Sequence, residues 1–220
     1  MPLALSFVTD VFDEANLTAY TFSSVDIGTA VSDRIVIVTA NAEAGEPIST
    51  ITIGGAATTI AVSEKASVSA AVIAYAAIPT GTSADIVVTW DSGAIRCMIG
   101  VWELTGADIT PTDTDTSTSL PSTGESLTVN IPTNAAAVAT HTSGDSSSSD
   151  FWTGAVRRYA DATSGAELQG ADVQPTGSDR PTHAISTSYT ELANGAALVG
   201  AVWSEASTGF GGMLLLGVGS

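Results

Sequence analysis

The stretch ADIVVTWDSGAIRCMIGVWELTG, Ala84 to Gly106, decides how this chain is read. Side chains alternate along a strand, so Ile86, Val88 and Trp90 fall on one face of its first arm and Val87 and Thr89 on the other. The second arm is apolar on both faces, with Ile95, Cys97, Ile99 and Val101 on one side and Met98, Trp102 and Leu104 on the other. That pattern belongs to a strand covered on both sides and predicts a central position in its sheet. Between the arms, Asp91-Ser92-Gly93 reads as a tight turn whose Gly93 takes the left-handed conformation at a bulge. The expectation is a central β-hairpin.

Toward the amino-terminal side, Leu3 to Val8 and Thr18 to Phe22 read as opening strands joined by a polar, acidic link from Thr9 to Leu17. Arg34 to Ala40 (RIVIVTA) is a strand, with a loop from Asn41 to Pro47 after it. Ser49 to Val62 holds two alternating runs around Gly54-Gly55, a pair suited to a tight hairpin. The pair lacks the Lys and the following helix of a phosphate-binding loop, so it reads as a turn. Ser67 to Ile78 is alanine-rich, yet Val72, Ile73 and Tyr75, followed by Pro79 and Gly81, favour a strand over a helix.

Toward the other side, Ala107 to Gly124 (ADITPTDTDTSTSLPSTG) breaks the apolar pattern and reads as a loop with a weak domain boundary at 107–124. Strands follow at Ser126 to Ile131 and Ala135 to Thr142, then a Ser-rich tip from Ser143 to Asp150. Thr153 to Asp179 has few apolar anchors and reads as irregular, with one short element at Val156 to Tyr159. Thr182 to Thr190, Ala196 to Ser204 and Gly212 to Val218 have strand character, and Asn194-Gly195 is a strong hairpin signal. Val101-Trp102-Glu103 and Val202-Trp203-Ser204-Glu205 echo one another, over too few residues to establish a repeat.

About a dozen strands at hairpin spacing and no convincing helix predict an all-β chain. The expected architecture is an antiparallel, jelly-roll-like β-sandwich with long Ser/Thr/Asp-rich loops, forming a single domain over 1–220. The 220 residues are enough to bury a core without covalent help. With 23 acidic against 6 basic residues the formal net charge is −17, which repels nucleic-acid phosphates and speaks for solubility. Cys97, the one cysteine, reads as a small buried hydrophobe. MPLALSFVTD lacks the basic segment of a secretory signal and Gly212 to Val218 is too short to span a bilayer, so no membrane partner is expected and the chain reads as cytosolic where it is made.

Chemistry is sparse. His141 and His183 lie in alternating strands and read as surface or sheet-face residues without a nucleophile to serve. Two histidines and one cysteine fall short of a zinc set. Asp108, Asp113 and Asp115 could offer oxygen ligands to calcium, but their spacing departs from an EF-hand and a solvated loop is preferred. Trp90, Trp102 and Trp203 read as core or sheet-face residues, leaving Trp152 as the one loop-borne aromatic for a sugar. No catalytic, cofactor-binding or metal-ligating residue is assigned, no cofactor is expected, and the chain reads as a non-enzyme.

Five segments carry a resemblance: Thr21 to Gly28 (TFSSVDIG), Asp33 to Ala40 (DRIVIVTA), Ile48 to Ala61 (ISTITIGGAATTIA), Ile78 to Trp90 (IPTGTSADIVVTW) and Arg96 to Ala107 (RCMIGVWELTGA). Together they resemble a group of tailed-phage and prophage virion structural proteins, and Asn194 to Ser204 (NGAALVGAVWS) matches in style. The resemblance covers about the first half and carries no enzymatic residues. It implies a place in a virion, most of all as a capsid decoration or head-fibre protein on the outer surface. The implied partners are the major capsid protein or other virion proteins, and copies of the chain as a homo-oligomer, with trimers natural at capsid symmetry axes. A tail or baseplate component, or a carbohydrate-binding sandwich module, are the alternatives.

Overall fold

The computed structural model describes residues 1–43, 47–119, 122–144, 151–163 and 166–207. It is all-β, with seventeen strands and no helix among the described residues. In the first half these are β1 (Ala4–Asp13), β2 (Leu17–Asp26), β3 (Ile35–Glu43), β4 (Ile48–Ile53), β5 (Ala56–Ala57), β6 (Thr59–Lys65), β7 (Ser69–Ala77), β8 (Ser83–Ala94) and β9 (Arg96–Thr105). The second half supplies β10 (Asp113–Ser119), β11 (Ser122–Ile131), β12 (Ala136–Ser143), β13 (Phe151–Thr153), β14 (Val156–Thr163), β15 (Ala166–Val173), β16 (Arg180–Ala193) and β17 (Ala196–Trp203).

They form four antiparallel sheets: sheet I in the order β1-β9-β3-β7-β6, sheet II β2-β8-β4-β5, sheet III β10-β17-β12-β15-β14, and sheet IV β11-β16-β13. Apolar clusters join the sheets in the sequence II, I, III, IV. Tyr20, Ile86 and Trp90 of sheet II meet Val36, Val38 and Ile99 of sheet I. Ile37, Ile73 and Trp102 of sheet I meet Val138, Val199 and Trp203 of sheet III. Ala137, Ala139 and Leu198 of sheet III meet Leu127, Val129 and Ile185 of sheet IV.

This layering explains the residue pattern. Sheets I and III are covered on both faces, so β9 and β17 carry side chains buried on both sides, whereas β8 alternates between buried Ile86, Val88 and Trp90 and more exposed neighbours. β9 lies between β1 and β3, the central position its two apolar faces predicted.

The second half repeats the strand order of the first. Sheet III matches sheet I strand for strand, and β11-β16-β13 matches β2-β8-β4. Where sheets I and III meet, the orders run in opposite senses: β6 lies against β10, β7 against β17 and β12, β3 against β12 and β15, and β1 against β14. Such a contact is isologous, the kind a twofold axis makes between identical subunits. The echoing Trp102 and Trp203 lie in equivalent strands, β9 and β17, and both side chains enter the I–III layer.

Several expectations are corrected. The Ala84–Gly106 stretch is not a hairpin, because β8 pairs with β2 and β4 in sheet II while β9 pairs with β1 and β3 in sheet I. Its two apolar stripes face each other across the layer, which buries more surface than edge pairing would. Asp91, Ser92 and Gly93 belong to β8, and Gly93 does not adopt a positive φ. Asn194-Gly195 likewise links strands of different sheets, β16 and β17. Gly54-Gly55 does form a tight turn, with φ of 57° and 80°, although β5 is two residues long and β6 then crosses to sheet I.

The acidic link expected over Thr9 to Leu17 is shorter, since β1 runs to Asp13, and Asn41 belongs to β3. The loop expected over Ala107 to Gly124 contains β10 and the start of β11. Its Asp and Thr residues suit an edge strand: Asp113 Oδ2 accepts a hydrogen bond from Asn130 N (2.6 Å) and Asp115 Oδ2 from Thr128 N (2.7 Å). The carboxylates thereby close the side of the III–IV layer. Thr153 to Asp179 is not irregular either, for it holds β14 and the fully buried β15. Its Gly, Gln and Asp residues hid a central strand from a search for apolar alternation. Residues 145–150 and 212–218 lie outside the described residues.

Candidate functional site

Three polar assemblies stand out against the apolar layers. The first joins sheets I and III at their centre. The strand β3 turns Ile35, Ile37, Thr39 and Asn41 toward sheet III, and β12 turns Ala136, Val138, Thr140 and Thr142 back. Asn41 Nδ2 donates to His141 O and Thr142 Oγ1, both at 2.8 Å, while its Oδ1 accepts from Thr140 Oγ1 at 2.7 Å and Tyr159 OH at 2.9 Å. Thr142 Oγ1 in turn donates to Ala70 O at 2.9 Å. Burial pushes the Tyr159 phenol up, against the opposing pull of its bonds to Thr140 and Thr39. The Tyr159 ring needs two glycines: a Cβ on Gly100 or on Gly170 would stand 2.2 Å from its Cε1. These contacts orient the halves; nothing in them offers a reacting group to solvent.

The second assembly lies between sheets III and IV. His141 Nε2 meets Tyr189 OH at 2.6 Å, with the two rings stacked and the Trp152 ring edge-on to the imidazole at 6.4 Å. Trp152 Nε1 donates to Gln169 Oε1, and Gln169 Nε2 donates to Glu167 Oε1. Nearby, Glu125 accepts from Ser117 Oγ at 2.6 Å and from Ser119 Oγ. His141 is fully buried, and desolvation lowers its pKa to about 3, so the imidazole is neutral at physiological pH. It packs and accepts or donates a hydrogen bond as a neutral ring.

The third is a groove of about 350 Å³ at the open side of the III–IV layer, lined among others by Ala155, Val156, Asp172, Val173, Gln174 and Arg180. Asp172, one of the lining residues, is fully buried and turns its carboxylate toward sheet I. It takes Arg158 in a two-pronged ion pair (Nε–Oδ2 2.7 Å, Nη2–Oδ1 2.8 Å), Trp102 Nε1 at 3.0 Å from sheet I, and Gln174 Nε2 at 3.1 Å. The carboxylate raises the Arg158 pKa further. Arg180 Nη2 is held by Thr176 Oγ1 at 2.8 Å. Three of the chain's six cations, Arg157, Arg158 and Arg180, belong to the elements around this groove.

The residues singled out in the sequence are dispersed. Trp90, Trp102 and Trp203 are core, as expected, with Trp203 Nε1 donating to Ile109 O at 3.2 Å. Trp152 is not loop-borne; it sits half-buried in β13, beside Phe151, which is 65% exposed. His141 packs on the buried face of β12, the sheet-face alternative, and His183 is half-buried with Nε2 at 2.6 Å from Gly154 O. Cys97 is buried, and desolvation pushes its thiol up. Asp113 and Asp115 hold backbone N–H groups, and no group of three or more His, Cys, Asp or Glu side chains is placed to hold a metal among the described residues.

Sequence reading missed Arg34, Tyr159 and Asp172. Arg34 is 1% exposed and donates to four backbone carbonyls: Nε to Ile78 O (2.7 Å), Nη1 to Gly28 O (2.9 Å), and Nη2 to Thr80 O (2.9 Å) and Gly81 O (2.8 Å). A cation opening an otherwise apolar strand, and glycines inside buried strands, were the signals available. No protein-family model, curated protein or solved structure matches the chain.

Proposed function

We propose that this chain is a non-enzymatic structural protein of a bacteriophage virion, a decoration or head-fibre protein on the outer surface of the capsid. The observation that carries the reading is the strand order. We read β1-β9-β3-β7 opposite β2-β8-β4-β5 as a jelly-roll order, and β10-β17-β12-β15 opposite β11-β16-β13 as the same order met again. Jelly rolls are a recurrent architecture of viral capsid proteins and of lectins. On this reading residues 1–220 act as one body of two back-to-back jelly rolls, joined through the Asn41 and Asp172 contacts.

The resemblance of the first half to tailed-phage and prophage virion proteins favours the particle over the free lectin. The charge agrees with an exterior position. Of the six cations, Arg34 is spent on carbonyls, Arg96 on Glu43 (2.6 Å) and Arg158 on Asp172 (2.7 Å), so, although Glu125, Glu167 and Asp172 are buried, acidic side chains outnumber the remaining cations on the described surface. Its partner is then the major capsid protein, and its copies gather as trimers at symmetry axes after synthesis in the host cytoplasm.

The test is to add the purified chain to particles that lack it and to image them. Symmetric density on the outer capsid surface is the expected result. Density on the tail moves the assignment to a tail or baseplate component, and absence of binding ends the virion reading. One observation favours a second reading, a carbohydrate-binding module: Phe151 is 65% exposed next to the half-buried Trp152. A glycan at a hundredfold its dissociation constant would then add about 2.7 kcal/mol of stability, readable as a melting shift across a glycan panel.

A further inference from the structure

We infer that the groove beside Arg180 binds a sugar acid, with the carboxylate on the Arg180 guanidinium and a ring hydroxyl on the Gln174 amide. Such a site deepens the carbohydrate-binding reading, on which it rests, by naming the charge its ligand carries. All six cations of the chain are among the described residues, and they are unevenly placed. Arg34 is buried on carbonyls and Arg96 is paired with Glu43. Of the other four, Arg157, Arg158 and Arg180 belong to β14 and β16, whose first residues, Val156 and Arg180, both line the groove of about 350 Å³. Only Lys65 lies elsewhere. On a chain of net charge −17 most of the surface repels an anion, so cations gathered at a concave place select one.

Two lining side chains carry hydrogen-bonding atoms that the fold positions and leaves unused. Arg180 Nη2 donates to Thr176 Oγ1 at 2.8 Å and to Gln174 O at 3.4 Å. Its Nε and Nη1 donate to no group among the described residues, so N–H donors of a positioned cation remain for an anion. Gln174 Nε2 donates to Asp172 Oδ1 at 3.1 Å, and Asp172 is itself fixed by Arg158 and Trp102. That bond sets the direction of the amide, and Gln174 Oε1 is the atom left to accept. A fixed cation beside a fixed acceptor matches a carboxylate next to a hydroxyl, the pair a sugar acid presents. The Asp172 charge does not oppose that carboxylate, because Arg158 answers it with two hydrogen bonds. Val156, 57% exposed, offers methyl groups to the C–H face of the ring. A groove of this size stands at the small end of ligand sites and admits one or two rings, not a length of peptide.

Isothermal titration of the full chain tests this, with galacturonate as the probe and galactose as its neutral counterpart. Galacturonate should bind saturably, at least tenfold more tightly than galactose, and less tightly as salt is added. Arg180→Gln should weaken galacturonate at least tenfold and leave galactose unchanged. Because Arg180 also ties Gln174 and Thr176, a second variant stands beside it. Val156→Asp adds a negative charge to the groove at an exposed position and should weaken galacturonate by a similar factor. Tighter binding of digalacturonate assigns the end of an acidic glycan and equal binding assigns the free sugar acid, and either supports the site. If galacturonate and galactose bind alike and neither responds to the two variants, the groove is overturned while the carbohydrate reading stands. If neither binds, the inference falls and the glycan panel alone decides that reading. Acetate binding as tightly as galacturonate overturns the sugar assignment. A change of mass in solution on Arg180→Gln seats a second copy in the groove and overturns it too.

Discussion

The two halves share a strand order yet are held together differently. The first half packs Tyr20, Phe22, Trp90, Ile51, Ile53, Ile86 and Ile99 between its sheets, and Arg34 ties the loops at one end. The second half fills the equivalent layer with Ala135, Ala137 and Ala139 against Leu127, Val129 and Ile131, and continues it with the His141–Tyr189–Trp152 assembly. Ala135 stands immediately before β12, as Arg34 does before β3. One topology is thus carried by a large apolar interior in one case and by small side chains plus hydrogen bonds in the other. Among the described residues, the layer inside the second half is lined by smaller apolar side chains than the layer inside the first.

The comparison breaks first at Arg34. Arg34→Ala makes the first half resemble the second at that position and strands four carbonyls, a loss of about 3–4 kcal/mol. The urea midpoint should fall with an unchanged slope. A loss below about 1 kcal/mol would mean that the loops at 28 and 78–81 hold without the clamp.

Next come the glycines under Tyr159. Gly100→Ala in the first half and Gly170→Ala in the second both push a methyl into the same ring, each costing about 1–3 kcal/mol. Adding Tyr159→Val should recover part of either loss, a non-additivity that a double-mutant cycle reads. Gly200→Ala should cost less, because the atoms it meets at 3.2 Å belong to the Leu127 side chain, which can shift.

The second half should also be the acid-sensitive one. An unfolded His141 takes up a proton below its ordinary value of 6.5, whereas the folded imidazole resists until about pH 3. Stability is therefore unaffected by this group above pH 6.5 and falls as pH drops from 6.5 toward 3, by about 1.4 kcal/mol per unit. Replacing the ring by Phe should flatten that slope in thermal melts across the window, and a slope unchanged by the substitution would remove His141 from the account.

The smallest effect is at Asp10, whose carboxyl is raised by partial burial and by Asp161 across the β1–β14 seam. A raised carboxyl loses stability as pH rises through its pKa. Asp10→Asn should stabilise at neutral pH by less than about 1 kcal/mol, since the group is exposed, and salt should erase the gain. A gain that survives high salt would point to packing instead.

Strands with β-branched alternation were legible one by one. RIVIVTA, the two arms of Ala84–Gly106 and AALVGAVW all form strands, and the two apolar faces of the second arm foretold a strand covered on both sides. The polar strands were not legible. DTDTSTS in β10 and AELQGADV in β15 lack apolar alternation, one because its carboxylates cap a neighbouring edge, the other because Tyr159 fills the space over Gly170. His141 and Asp172 gave no local signal of burial, since each is stabilised by partners up to 70 residues away.

What the sequence determined by itself is the extended state of most segments and their inward faces, because a period of two is a property of neighbouring residues along one chain. Only the tertiary structure decided which strands pair. Asp91-Ser92-Gly93 and Asn194-Gly195 carry turn chemistry that serves equally for a hairpin and for a corner between layers. The choice rests on apolar area buried across a layer by residues distant in the chain, a quantity that no local stretch contains.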